Sequence, residues 1–234
     1  MGLKSIAAAM LCLALAAGCN AAGKPASDPV SGDAFLGPAN AKVVMTEFAA
    51  PTCPVCKGWH DQVFSKIRAN YIDTNKIKFV LRELPSHNPP VDAAIFGIAR
   101  CAGQGEFFKV IDDAFDKRDE IEKAAMSGDG PRGALTELAK RHGVSADRFE
   151  ACVKSPDLMK RLKDVEDDAQ ARGVEGTPTL FIDGQKVPET DYMYDALSAR
   201  LDAALAAAAP APAATTPAPA DATPPAAPAP APSN

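Results

Sequence analysis

Two cysteines separated by two residues, Cys53 and Cys56, are the residues of this chain best suited to chemistry. Pro54 follows Cys53 directly, and proline is favoured at the first position of a helix because its missing N–H would be unpaired there anyway. At a helix N-terminus the free N–H groups and the dipole favour a thiolate over a thiol. The spacing puts Cys56 one helical turn away, within disulfide reach. We therefore predict a redox site in Cys53-Pro54-Val55-Cys56.

A strand and a helix are predicted on either side of this site. The apolar run 43–50 has the length of a buried strand. Val55, Trp59, Val63 and Ile67 recur every four residues and predict one apolar stripe of an amphipathic helix.

The rest of the chain predicts an α/β layer. Asp183-Gly184 between two short apolar runs is a strong hairpin signal. Helices between strands favour some parallel pairing, and we expect the late hairpin to add antiparallel edge strands. The predicted elements are a strand at 77–82, a block of five helices within 91–173, strands at 179–182 and 185–187, and a helix at 192–205.

Other uses of the cysteine pair remain open. Cys53, Cys56 and His60 offer three zinc ligands, but His87 and His142 do not have the spacing expected of a fourth. A non-enzymatic protein that handles copper or zinc is the alternative of another class, although Met-rich and His-rich tracts are absent from the sequence. A purely structural disulfide would close a very short loop and stabilise little. We predict no metal and no cofactor.

The N-terminus predicts export. Lys4 precedes an apolar run at 6–17 that is too short to span a bilayer and is typical of a signal peptide, predicted at 1–18. The run ends in Leu15-Ala16-Ala17-Gly18-Cys19, which resembles a lipobox and predicts lipidation of Cys19; cleavage after Ala14–Ala16 is the alternative. The expected location is periplasmic, with a lipid anchor as the one contact with the membrane.

Composition sets the domain limits. Residues 19–33 are predicted to be a linker, 34–206 one domain, and 207–234 a disordered Ala/Pro-rich tail. The net charge of −5 without a basic cluster gives no reason to expect nucleic-acid binding. Cys101 and Cys152 fall on the apolar faces of two predicted helices, and a structural disulfide is preferred over two buried free thiols.

Three segments together resemble the DsbA-like branch of the thioredoxin superfamily: Glu47-Phe48 before the cysteine motif, the helical block, and the run Gly176 to Gly184 that contains Thr177-Pro178. The resemblance covers about residues 34–206. It implies an α/β thioredoxin fold with an inserted all-helical subdomain at about 88–174. Two positions depart from the family pattern, because Pro-Val stands between the cysteines instead of Pro-His, and Thr instead of Val precedes the proline.

The resemblance also implies an activity, which is thiol–disulfide exchange with folding exported proteins. Cys53 would be the exposed attacking sulfur and Cys56 the less exposed resolving one. Pro178 would be cis, so that the preceding backbone can pair with an extended client. A buried acid at Glu47 would move protons at Cys56.

The client would lie against Pro54, Val55, Thr177 and His60, where His60 borders the site. A membrane protein is the expected redox partner, and the protein is expected to be a monomer. Thr177 leaves the direction open between an oxidase and an isomerase or reductase.

Overall fold

The computed structural model describes residues 32–209, and a five-stranded mixed sheet lies at its centre. The strand order is β1-β3-β2-β4-β5; β2 and β3 are parallel, and the other neighbours are antiparallel. The strands are β1 (Ala34–Leu36), β2 (Val43–Ala49), β3 (Ile77–Glu83), β4 (Thr179–Ile182) and β5 (Gln185–Lys186).

The sheet corrects one expectation. The late hairpin does not form two edge strands, because β4 pairs with β2 on one side and with β5 on the other. Its four residues are all buried, as befits an internal strand. The edge strand β1 was not predicted, since three residues carry too little pattern to be recognised.

The helix after the cysteine motif is not regular. It consists of α1 (Pro54–Trp59), a π-helical turn (His60–Phe64), α2 (Ser65–Ile67) and a second π-helical turn (Arg68–Ile72). The wider π turns keep side chains four residues apart on one face, and the predicted stripe is buried from Trp59 onward. The prediction that Val55 belongs to the buried stripe is wrong. Val55 is 64% exposed, because it lies in the first turn, beyond the part of the helix that packs on the sheet.

An all-helical block separates β3 from β4. Ser145 and Ser155 cap two of its helices by accepting hydrogen bonds from backbone N–H groups, a role for which serine is favoured. The helix α5 was not predicted, because its only buried residue is Ile121. The block contains α3 (Pro89–Ala102), α4 (Phe107–Asp116), α5 (Arg118–Ala125), α6 (Arg132–Arg141), α7 (Ala146–Val153) and α8 (Pro156–Ala171), and α9 (Tyr194–Ala208) ends the described chain.

Apolar side chains cover both faces of the sheet. On one face Phe79 packs against Phe64, with ring centroids 4.7 Å apart, within the main core. On the other face Phe48 and Phe181 pack edge to face at 5.7 Å and contact Val165 of α8. The central strand β2 is therefore held from both sides, which fixes the position of the loop that follows it.

A buried ion network joins the residue before β1 to β3 and α8. Asp33 accepts hydrogen bonds from Arg82 at 3.1 Å and from Arg161 at 2.7 Å. Arg161 also donates to Glu83 at 2.7 Å, and Arg82 pairs with Asp168. Nothing in the residue pattern signalled this network, because its members are widely separated in sequence and meet only after folding.

The predicted signal peptide, Cys19 and most of the linker and tail lie outside the described residues. Within residues 32–209, none of the helices is long and apolar enough to cross a bilayer.

Candidate active site

The two motif cysteines lie where β2 passes into α1. Cys53 is the N-cap residue of α1, and its sulfur accepts a hydrogen bond from the backbone N–H of Cys56 at 3.3 Å. Both are free thiols in this structure. Cys56 is fully buried, as expected, but Cys53 is only 5% exposed, which corrects the prediction of an exposed sulfur. Neighbouring loops cover it, and the exposed residues of the motif are Pro54 and Val55.

The two thiols differ strongly in acidity. A hydrogen bond from the Cys56 side chain lowers the pKa of Cys53 to about 5, aided by the Thr177 side chain and the backbone N–H groups of Cys56 and Val55. Burial, followed by the same Cys53–Cys56 hydrogen bond and the nearby Glu47 charge, raises the pKa of Cys56. Cys53 is therefore the thiolate at neutral pH, and Cys56 keeps its proton.

The loop before β4 faces Cys53. The Thr177–Pro178 peptide bond is cis, which confirms the sequence prediction. The carbonyl oxygen of Thr177 lies 3.2 Å from the Cys53 sulfur. A carbonyl can accept a hydrogen bond only from the protonated thiol, so this contact does not stabilise the Cys53 thiolate.

A cavity of about 640 Å³ opens beside the motif. Its wall is fixed by Trp59, whose indole N–H donates to the carbonyl of Tyr192 at 3.0 Å. The cavity is open to solvent and mainly apolar, which suits an extended peptide with an apolar side chain. Among its lining residues are Val55, Trp59, Thr177, Pro178, Tyr192 and Met193; Pro54 is exposed nearby.

Glu47 and His60 form a buried pair behind the motif. Glu47 is fully buried, and its carboxylate lies 2.9 Å from Nε2 of His60. The His60 ring packs between Phe64 and Phe115, with centroids 4.4 Å away in each case. His60 does not line the cavity beside the motif. The expectation that His60 contacts the client is therefore corrected: it lies one turn beyond Cys56, and that turn carries it into the core.

Asp92 and Ser86 belong to the same site and were missed. Asp92, in the first turn of α3, is fully buried and accepts a hydrogen bond from the backbone N–H of Thr52, next to Cys53. The Ser86 hydroxyl lies 2.8 Å from the hydroxyl of Thr177. An acid in the first turn of a helix was visible in the sequence, but it usually interacts with that helix's own N–H groups.

Cys101 and Cys152 form a disulfide that joins α3 to α7, as predicted. Among residues 32–209, no group of three or more His, Cys, Asp or Glu side chains is arranged to hold a metal ion. The disulfide leaves Cys53 and Cys56 as the thiols available for exchange in the described part of the chain.

Comparison with known proteins agrees with this fold. The family model described as thioredoxin matches residues 30–203. A Rickettsia bellii protein named "Putative protein-disulfide oxidoreductase" is 31% identical over 174 residues, which are 74% of this chain and 64% of that protein. The Rickettsia typhi protein of the same designation is 33% identical, over 74% of this chain and 62% of its own length. The match thus spans less than two thirds of the length of these relatives.

Solved structures share the architecture. Wolbachia pipientis alpha-DsbA1 superposes with a TM-score of 0.65 at 23% identity, over 77% of this chain and 94% of that one. Oxidised BdbD from Bacillus subtilis superposes with a TM-score of 0.67 at 20% identity, over 79% and 97%. The chain belongs to the thioredoxin family. Its fold is the DsbA-like form, a thioredoxin fold with an inserted helical subdomain.

Proposed function

We propose that this protein is an exported thiol–disulfide oxidoreductase that exchanges disulfides with folding proteins through Cys53 and Cys56. The observation that carries the proposal is the placement of the two cysteines: Cys53 is the N-cap of α1, where its sulfur accepts the Cys56 N–H, and Cys56 is buried in the core. These positions shift the two thiol pKa values in opposite directions, downward for Cys53 and upward for Cys56. A low thiol pKa makes Cys53 the better leaving group of a mixed disulfide. The names of the Rickettsia relatives support the same reaction class.

The exchange proceeds in two steps. When Cys53 and Cys56 are joined, a client thiolate attacks the Cys53 sulfur, the internal disulfide breaks, and Cys56 leaves and takes up a proton. A second client thiolate then attacks the client sulfur of the mixed disulfide and expels Cys53 as a thiolate. The client loses two electrons and gains a disulfide, and the protein ends with two reduced cysteines. The reverse sequence reduces a client disulfide.

The surrounding residues have distinct proposed roles. Glu47 carries the proton to and from Cys56, because it is buried and its charge acts on that thiol. Thr177 and Pro178 present backbone to an extended client, and Pro54 and Val55 form the exposed side of the contact. His60 holds the Glu47 carboxylate from the side away from the cavity.

The cellular setting is also a proposal. We infer a periplasmic, monomeric protein that acts on unfolded or partly folded clients and is turned over by a membrane redox protein. Lipidation of Cys19 would supply its membrane anchor. The signal-like residues 1–18 support export, and labelling with a radioactive fatty acid, compared between the natural chain and Cys19→Ser, tests the anchor.

The experiment that tests the activity uses a synthetic peptide with two cysteines. Oxidised protein should convert the reduced peptide into its disulfide form, and Cys53→Ser should abolish this conversion. Equilibration with glutathione then gives the direction, since an oxidising potential favours the oxidase over the isomerase or reductase. Binding of copper or zinc by the reduced protein, without any exchange, would favour the metal-handling alternative.

A further inference from the structure

Asp92 connects two loops of the site. Its Oδ1 accepts a hydrogen bond from the backbone N–H of Thr52 at 2.8 Å, and its Oδ2 accepts one from the backbone N–H of Ser86 at 3.0 Å. One carboxylate thus holds both the residue before Cys53 and the loop after β3. The side chain is fully buried, and burial raises its pKa. A buried carboxylate is costly unless its oxygens are hydrogen-bonded, so the two backbone N–H groups are what stabilise Asp92 in this position.

Thr52 is fixed by two further contacts. Its hydroxyl accepts a hydrogen bond from the backbone N–H of Asn88 at 3.0 Å, and its carbonyl accepts one from Nε of Arg118 at 2.7 Å. The residue next to Cys53 is therefore held by α3, by the loop before it and by α5. The helical block in this way sets the position of the redox motif.

Ser86 extends the link to the opposite wall of the site. Its hydroxyl lies 2.8 Å from the Thr177 hydroxyl, and the Thr177 carbonyl lies 3.2 Å from the Cys53 sulfur. The contacts close a ring that runs through Cys53, Thr52, Asp92, Ser86 and Thr177. The ring spans the two loops between which a client would have to lie.

Which hydroxyl donates in the Ser86–Thr177 hydrogen bond depends on whether Cys53 is a thiolate. The Thr177 side chain lowers the pKa of Cys53 and so favours the thiolate. A hydroxyl has one proton to donate, so when the Thr177 hydroxyl donates toward the sulfur, the Ser86 hydroxyl is the donor in the 2.8 Å Ser86–Thr177 hydrogen bond. Ser86 thereby orients a donor that acts on the reacting sulfur, although Ser86 does not touch it.

We propose that Asp92 and Ser86 are positioning residues for disulfide exchange: the Asp92 carboxylate fixes the spacing between the redox loop and the cis-proline loop, and the Ser86 hydroxyl orients the Thr177 hydroxyl toward Cys53. This inference rests on the proposed function. It adds that the inserted helical subdomain contributes directly to the geometry of the reaction through the first turn of α3.

The first test uses Ser86→Ala, which changes an exposed residue and should not affect folding. We expect the rate constant for oxidation of the two-cysteine peptide to fall about fivefold, the scale of one neutral hydrogen bond, and the pKa of Cys53, from iodoacetamide alkylation against pH, to rise. Ser127→Ala is the matched control, since Ser127 is an exposed serine whose hydroxyl bonds a local carbonyl. It should change neither quantity.

A double-variant cycle shows whether Ser86 acts through Thr177. In a Thr177→Val background the hydroxyl partner is gone, so adding Ser86→Ala should leave the rate and the Cys53 pKa unchanged. An undiminished effect of Ser86→Ala in that background, or no effect in the natural one, would overturn the assignment of Ser86.

The second test uses Asp92→Asn, compared with Asp168→Asn. Both acids are buried, but Asp168 bonds to Arg82 and Arg172 and not to the redox loops. Both variants should lower the thermal midpoint. At a temperature well below both midpoints, Asp92→Asn should slow peptide oxidation about tenfold or more, consistent with a buried N–H left unpaired, whereas Asp168→Asn should keep the natural rate.

The outcomes separate the inference from the proposed function. If the natural protein fails to oxidise the peptide, the proposed function is wrong. If it does oxidise the peptide and Asp92→Asn matches Asp168→Asn in rate, Asp92 is only structural and the inference is wrong. Should Asp92→Asn fail to fold, the Ser86→Ala and Thr177→Val cycle decides alone.

Discussion

Nε2 of His60 lies 2.9 Å from the fully buried Glu47 carboxylate, so the acid beside the redox motif has a partner from the same helix that carries the cysteines. The pair ties β2 to the π-helical turn after α1. An unpaired buried carboxylate is costly, so each member of the pair depends on the other.

Substitution of His60 should therefore destabilise the protein unless Glu47 is also changed. His60→Phe keeps a ring between Phe64 and Phe115 but leaves the carboxylate without its donor. We expect a loss of about 1–3 kcal/mol in the free energy of unfolding, the cost of an unsatisfied buried group. Glu47→Gln combined with His60→Phe should recover part of it. Urea unfolding measures both, and equal losses in the single and double variants would contradict the pairing.

The two motif cysteines should have opposite phenotypes. Cys53→Ala should abolish exchange, because it removes the thiolate that client disulfides meet first. Cys56→Ala should accumulate mixed disulfides with clients, because the resolving thiol is gone. Non-reducing gels of each reduced variant after incubation with the disulfide form of the peptide show the difference, because the Cys53 thiolate then attacks the peptide disulfide and releases one peptide thiol. Alkylation of Cys56 at lower pH than Cys53 would reverse the assignment.

The stability of the reduced protein should depend on pH in a defined way. The folded pKa of Cys53 is about 5, below its ordinary value of 9.0. Between these values the unfolded chain binds the extra proton, so the stability of the reduced form relative to the oxidised form rises with pH through this window. The contribution is fully present near pH 9 and is lost as pH falls through about 5.

At higher pH, ionisation of Cys56 in the unfolded chain should lower the stability of the reduced protein. Its pKa is raised in the folded state, so the unfolded chain loses this proton first and stability falls above about pH 9, near the ordinary thiol pKa. Denaturant unfolding of both redox forms across pH measures the difference and cancels the carboxylates common to both. Reduced Cys53→Ser protein, measured in place of the reduced natural protein against the same oxidised natural protein, should lack the acid part, and a natural difference that is flat between pH 5 and 9 would refute the lowered Cys53 pKa.

The Cys101–Cys152 disulfide should contribute to stability and take no part in disulfide exchange. Cys101 and Cys152 are 51 residues apart, and closing a loop of this length is worth up to about 4 kcal/mol in the chain-entropy model. Cys101→Ala with Cys152→Ala should lower the free energy of unfolding by a few kcal/mol, on the order given by that model, yet keep peptide oxidation at low temperature. Among the four cysteines of residues 32–209, mass spectrometry after mild reduction should find label on Cys53 and Cys56 and none on Cys101 or Cys152. Loss of exchange in the folded double variant would contradict this separation.

The sequence predicted the parts of this protein that depend on local pattern. The strands at β2 and β3, the cis bond at Pro178 and the disulfide followed from apolar runs, a family motif and cysteine placement. The burial of Cys53 could not be predicted, because the loops that cover it come from distant parts of the chain. Asp92 was missed for the same reason: one of its backbone partners is 40 residues away.

Errors in the helix after the motif have a different origin. A four-residue repeat fits an amphipathic helix, but the pattern does not distinguish a regular helix from one with π turns, nor does it show where the core ends. Val55 was therefore placed on the buried stripe and His60 toward the client, and both assignments depended on a register that only packing determines.

The position of Trp59 makes its fluorescence a natural probe of the redox site. It is the only tryptophan of the chain, and its indole lies in the wall of the cavity beside the redox motif, one turn from Cys56. The ring contacts His60 and Phe64 and is largely shielded from water. Tryptophan fluorescence therefore originates from one point beside the two motif cysteines. Oxidation of the motif and binding of a peptide should both change this emission and can be followed in real time without an attached dye.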